Sequence, residues 1–125
     1  MTKNIYLTEA EEKLAKIIWR EEPLTSPDLV AFAKNELDWQ KSTTYTILKK
    51  LCDKGIVKNE NANVSALLTY EEQQSRQSHR YIEDAFGGSL PLFVTSFFRG
   101  GRISQEEISK LRQLIDEYDE DNLDE

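Results

Sequence analysis

The chain has 125 residues, 16 Lys plus Arg, 23 Asp plus Glu, one cysteine and a net charge of −7. That length allows one ordinary domain, or a smaller domain with a helical appendage. No apolar run approaches the ~20 residues that span a bilayer, and no basic-then-apolar start suggests export, so a cytoplasmic protein without direct membrane association is expected. A single cysteine excludes an internal disulfide and a cysteine-rich metal cluster. Apolar content is 38 %, and exchanging the 5 Tyr for the 5 Gly leaves it there. The average globular value counted that way is about 45–50 %, so a partner chain is expected to complete part of the core.

Charge is unevenly placed. Residues 1–70 carry ten basic and ten acidic side chains, and residues 71–125 carry six and thirteen. The tail from Asp116 to Glu125 has seven acids and no base, whereas Trp39 to Lys58 holds five lysines against Asp53 alone. One short basic segment thus stands in an acidic protein.

In chain order, Thr8 and Glu11 form a capping box that opens a first helix with Ala10, Leu14, Ile17 and Ile18 on one face. Pro23 ends it. Ser26-Pro27 reads as a capping serine followed by proline at the first helical position, opening a helix whose buried side is Leu29, Val30, Phe32, Ala33 and Leu37. A third helix runs from Lys41 or Ser42 to Lys54 and stops at Gly55. Thr44, Ile47, Leu48, Leu51 and Cys52 lie on its apolar side; Ser42, Thr43, Tyr45, Thr46, Lys49, Lys50 and Asp53 lie opposite. Ile56–Lys58 and Val64–Thr69 read as strands around the turn residues 59–63. Glu71–Phe86 is a polar helix broken at Gly87-Gly88. Ser89 caps a helix bearing Leu90, Phe93, Val94, Phe97 and Phe98. Beyond Gly100-Gly101, Ser104 and Glu107 box the start of a last helix with Ile108, Leu111, Leu114 and Ile115. Like charges after about Tyr118 predict fraying or disorder. There is no internal repeat.

This order describes a mainly α chain with a small two- to three-stranded β wing, a winged helix-turn-helix followed by C-terminal helices. A helix entering the major groove needs hydrogen-bonding side chains near its start for base edges and cations where phosphates lie. Ser42, Thr43, Tyr45 and Thr46 meet the first need, and Lys41, Lys49 and Lys50 the second. A solvated lysine-and-hydroxyl face is the plainer reading of the same residues.

The stretch Trp39-Gln40-Lys41-Ser42-Thr43-Thr44-Tyr45-Thr46-Ile47-Leu48-Lys49-Lys50-Leu51, ending Lys54-Gly55-Ile56-Val57, resembles the recognition helix of the penicillinase-repressor family, which groups the BlaI, MecI and CopY repressors. Leu7–Glu11 with Ile17-Ile18-Trp19, Gly87-Gly88-Ser89-Leu90 and Glu107–Arg112 extend the resemblance over about residues 6–118. It implies a homodimeric repressor: residues 1–70 a winged-helix domain on double-stranded, palindromic operator DNA, and residues 71–125 a helical dimerisation region with an acidic tail. Leu90, Phe93, Val94, Phe97, Phe98, Ile108, Leu111, Leu114 and Ile115 would bury against the second chain. In relatives controlling β-lactam resistance, a membrane sensor-protease pathway ends in cleavage before a phenylalanine. The aligned bond is Ser96-Phe97, with serine where asparagine is usual. Copper-responsive members carry paired cysteines; this chain does not, and no metal or other cofactor is expected.

Two departures bear on affinity. Tyr45 stands where arginine is common, and the wing from Asn59 to Leu68 has no Lys or Arg and includes Glu60. Asn61 and Asn63 remain as phosphate hydrogen-bond donors. About 3–4 phosphate contacts per subunit and a shallow salt dependence follow. His79 reads as an exposed helix residue, Cys52 as a small buried hydrophobe rather than a redox sensor, and Trp19 and Trp39 as packing residues. Phe93, Phe97 and Phe98 read as an interface core, with a ligand pocket as the other reading. No nucleophile with a base, paired carboxylates in a cleft or phosphate loop suggests catalysis. The rival function is a protein-interaction module whose winged helix no longer binds DNA and whose acidic half docks a basic partner.

Overall fold

The computed structural model describes residues 4–122. The first helix, α1 (Glu9–Glu21), opens on the expected capping box: the Glu11 N–H donates to Thr8 Oγ1 at 3.2 Å and the Thr8 N–H to Glu11 Oε1 at 2.8 Å. After Pro23 a two-residue strand, β1 (Leu24–Thr25), precedes α2 (Ser26–Leu37). Here the expected cap is corrected. Thr25, not Ser26, caps α2, accepting the Asp28 N–H at 3.1 Å. The Ser26 N–H donates to the Ala62 carbonyl at 2.8 Å, so pairing with the wing keeps Thr25 extended as the cap and places the start of the helix one residue earlier than composition suggests.

The third helix, α3 (Lys41–Asp53), ends as expected before Gly55, whose φ of 78° is a left-handed conformation that only glycine adopts at little cost. Strands β2 (Val57–Glu60) and β3 (Asn63–Ala66) form an antiparallel hairpin with Glu60 opposite Asn63, and the sheet order is β1-β3-β2. The expected five-residue turn contracts to two residues, Asn61 and Ala62, both left-handed at φ 53° and 64°. Two such residues match the twist of the flanking strands, so Asn59, Glu60 and Asn63 extend the ladder in spite of their turn-prone composition. Leu67 and Leu68 leave the strand instead, both their N–H groups reaching the Ile56 carbonyl.

Leu14 and Ile18 of α1, Leu29 and Ala33 of α2, Leu48 and Leu51 of α3, and Ile56, Val57 and Val64 form one buried core. Each fully buried Leu, Ile or Val stabilises by roughly 1.5–3 kcal/mol. Trp19 and Trp39 pack at its edge, as do Phe32, Leu37 and Ile47. The next helix, α4 (Tyr70–Phe86), starts on a second capping box, Thr69 with Glu72, each bond 3.0 Å. Its first turns join the same body: the Trp19 indole N–H donates to the Leu68 carbonyl at 2.9 Å, and the Trp19 ring meets Tyr70 edge-on at 5.4 Å. The first compact unit extends through Tyr81.

The second unit, from Ile82, holds the end of α4, then α5 (Leu90–Arg99) and α6 (Gln105–Asn122). Ser89 and Ser104 cap these helices, accepting the Leu92 and Glu107 N–H groups at 3.1 Å. Fraying after Tyr118 is not what is found: α6 continues to Asn122. Its acids from Asp116 to Asp121 are all exposed, so each keeps its hydration and the backbone can remain helical without burying charge. The last three acidic-tail positions, 123–125, lie outside the described residues.

Candidate nucleic-acid interface

The seating of α3 decides what it offers to solvent. Thr44, Leu48 and Leu51 are buried, and Thr44 returns its hydroxyl to the Gln40 carbonyl at 3.3 Å. Burying that side leaves Lys41, Ser42, Thr43, Thr46, Lys49 and Lys50 exposed, with Asp53 at the far end. No ion pair engages Lys41, Lys49 or Lys50 among the described residues. The helix start at Gln40 carries no side-chain cap. Its first N–H groups are thus left for another acceptor, and a phosphate suits them.

Tyr45 departs from the expected exposed face. It is half-buried against the core, its hydroxyl donates to Ser26 Oγ on α2 at 3.4 Å, and Lys41 Nζ lies 6.0 Å over its ring. The ring gains apolar contact and a hydroxyl partner by packing between the two helices. Asn61 and Asn63 are exposed at the tip of the hairpin. On β2, Lys58 Nζ lies 3.9 Å from Glu60 Oε2, leaving the wing close to neutral. The i, i+2 spacing of Lys58 and Glu60 on a strand was the available signal for this pairing.

Lys54 does not belong to the exposed basic surface at all. Its ammonium lies 2.5 Å from Glu11 Oε1 and donates to the Tyr6 carbonyl at 2.7 Å. Its side chain is 14 % exposed and that of Glu11 2 %. Burial pushes the Glu11 carboxyl up, but the hydrogen bonds from Lys54 and the Thr8 N–H outweigh it and hold the group below the usual carboxylate value. Sequence reasoning missed this pair, because residues 43 positions apart carry no local sign of contact. Cys52 is half-buried; burial pushes its thiol up and the Asp53 charge adds to this, while a hydrogen bond with the Asn59 backbone opposes, so the reactive thiolate is disfavoured. His79 is exposed, as expected.

In the second unit no residue of α5, and none of α6 among those with described side chains, is buried. Leu90, Phe93, Val94, Phe97 and Phe98 of α5 and Leu111, Leu114 and Ile115 of α6 line one apolar groove of about 1010 Å³, joined by Ile103 and Tyr118. Ile108, expected in the same stripe, is half-buried outside that lining. Phe93 stacks at an angle on Phe97, ring centroids 6.2 Å apart. Ser96 and Phe97 are both exposed within α5. Among the described residues, no group of His, Cys, Asp and Glu is placed to hold a metal, and no helix is long and apolar enough to cross a membrane.

Comparison with known proteins finds a match to the family model described as penicillinase repressor over residues 7–117. The penicillinase repressor of Bacillus licheniformis is 24 % identical over 122 residues, 94 % of this chain and 95 % of that protein. The methicillin resistance regulatory protein MecI of Staphylococcus aureus is 22 % identical over 117 residues, 90 % of this chain and 95 % of its own length. Among solved structures, the solution structure of the DNA binding domain of the repressor BlaI matches with a TM-score of 0.49 and 21 % identity, over 58 % of this chain and 93 % of that one.

Proposed function

This chain belongs to the penicillinase-repressor family, and on that premise we propose that it is a cytoplasmic transcriptional repressor that binds a palindromic operator as a homodimer. Members of that family are repressors, not enzymes, and no side chain is assigned a catalytic role. The observation that carries the reading is the exposed face of α3, where hydroxyls and unpaired lysines stand together in a protein of net charge −7. Ser42, Thr43 and Thr46 would read base edges, while Lys41, Lys49 and Lys50 would hold phosphates. Tyr45 would contact DNA only with the edge of its ring, its main role being the joint between α2 and α3. Asn61 and Asn63 would give hydrogen bonds, not charge, to the backbone.

Dimerisation is supported by the apolar groove: Leu90, Phe97, Leu114 and Ile115 are each more than half exposed, which a lone chain would not sustain in water. A second copy would cover them. Cleavage at Ser96-Phe97 by a sensor-protease pathway would first require α5 to unwind there, and would then separate Phe97 and Phe98 from Phe93 and Val94. The groove would lose one wall and the dimer with it.

The test selects genomic DNA fragments on the purified protein at two salt concentrations, with Lys49→Ala/Lys50→Ala as control. Recovery of one palindromic sequence, lost in the control, is the expected result. No enrichment from folded, dimeric protein would overturn the reading in favour of a protein-interaction module.

A further inference from the structure

The two ends of α3 are held differently. Near its start the ties are the burial of Thr44, the packing of Trp39 and Tyr45, and two long neutral hydrogen bonds, from the Trp39 N–H to the Ala33 carbonyl at 3.3 Å and from Tyr45 to Ser26 at 3.4 Å. At its end, Lys54 is gripped from three directions. Its ammonium meets Glu11 in the first turn of α1 and the Tyr6 carbonyl ahead of it. Its carbonyl accepts from Arg76 Nη2 of α4 at 3.1 Å. Arg76 Nε in turn donates to Gln73 Oε1 at 3.1 Å, and the buried Gln73 donates from Nε2 to the Ile5 carbonyl at 2.9 Å. Apolar packing holds a helix by shape alone, because the hydrophobic effect itself is non-directional. Charge-assisted hydrogen bonds are short and directional, and fix a position.

We propose that Lys54 is a positioning residue for sequence readout, its ammonium locked by Glu11 and its carbonyl by Arg76, so that α3 is presented to the base edges at one angle. The inference rests on the DNA-binding reading and goes beyond it: a lysine of the basic segment acts on specificity without touching DNA. An ammonium already engaged by a carboxylate and a carbonyl has little to give a phosphate. A surface lysine acts on all sequences alike. Loosening the end of α3 should instead weaken binding to the preferred sequence alone, since base contacts demand tighter placement than phosphate contacts.

Lys54→Met by itself leaves the Glu11 carboxylate buried and unpaired, so the test uses Glu11→Gln/Lys54→Met, in which glutamine can still cap α1. Arg76→Gln, which frees the same carbonyl from α4, is the second variant, and Lys50→Ala is the comparator. Binding to the selected operator and to a scrambled duplex is titrated over a range of salt, well below each variant's melting temperature. The expected result is a loss of about tenfold or more on the operator, equivalent to one good base contact, with scrambled-duplex affinity and salt slope kept. Equal weakening on both duplexes with a shallower slope would make Lys54 a phosphate contact and overturn the proposal. So would unchanged discrimination in folded variants, which would leave the pair a purely stabilising role. Wild-type protein that prefers no sequence would overturn the DNA-binding reading, and this inference with it.

Discussion

Replacing both Lys49 and Lys50 with alanine removes two of the three unpaired lysines on the exposed face of α3. Neither lysine has an ion-pair partner among the described residues, so no internal contact is lost and the fold should be untouched. The wing adds no net charge, since Lys58 sits beside Glu60. Three phosphate contacts per subunit, doubled in a dimer, give a slope of log affinity against log salt of about −5. The double variant keeps one lysine per subunit, for a slope of about −2. Between 50 and 200 mM salt the parent protein should lose roughly three orders of magnitude in affinity and the variant roughly one. Fluorescence anisotropy of labelled operator across that range measures both slopes. Thr43→Ala/Thr46→Ala should behave oppositely, relaxing sequence preference while keeping the slope. An unchanged slope in the lysine variant would refute the placement of phosphates along this face, and a changed sequence preference would refute the division of roles between lysines and threonines.

Four further outcomes follow from the geometry. Because Glu11 is held below its ordinary carboxylate value of 4.5, the unfolded chain takes up that proton first on acidification; the pair's stabilisation is present above about pH 5 and is lost as pH falls through the folded value. Urea midpoints of the parent should therefore drop more steeply below pH 5 than those of Glu11→Gln, and parallel profiles would refute the argument. At neutral pH, Lys54→Met should cost about 3–5 kcal/mol in urea unfolding, the usual penalty for orphaning one half of a buried ion pair. Leu114→Asp/Ile115→Asp should yield monomers in sedimentation at micromolar concentration with the first unit still folded; a persistent dimer would place the interface elsewhere. Ala62→Gly should raise stability by about 0.5–1 kcal/mol, as relief of left-handed strain of roughly 1–2 kcal/mol outweighs the added freedom of the unfolded chain.

What the sequence determined by itself was whatever is written locally. The Thr8–Glu11 capping box, the Ser89 and Ser104 caps, Pro23 and Gly55 act within a few residues of backbone, so the starts of α1, α5 and α6 and the ends of α1 and α3 were legible. The face of α3 was legible too, because burying Thr44, Leu48 and Leu51 leaves only one side for Ser42, Thr46 and Lys49. The apolar stripes of α5 and α6 followed from spacing alone. Tertiary structure decided the rest. The short strand at Leu24 exists because β3 is there to pair with it, and that pairing moved the cap of α2 from Ser26 to Thr25. Tyr45 turned inward because α2 offered its ring a surface. Two of the five lysines in the basic segment proved to be engaged, Lys58 by a neighbour on its own strand and Lys54 by Glu11, 43 residues away. Charge can be counted along a chain, but whether it reaches solvent depends on what folding brings beside it, and for Lys54 that is a carboxylate buried at the start of α1.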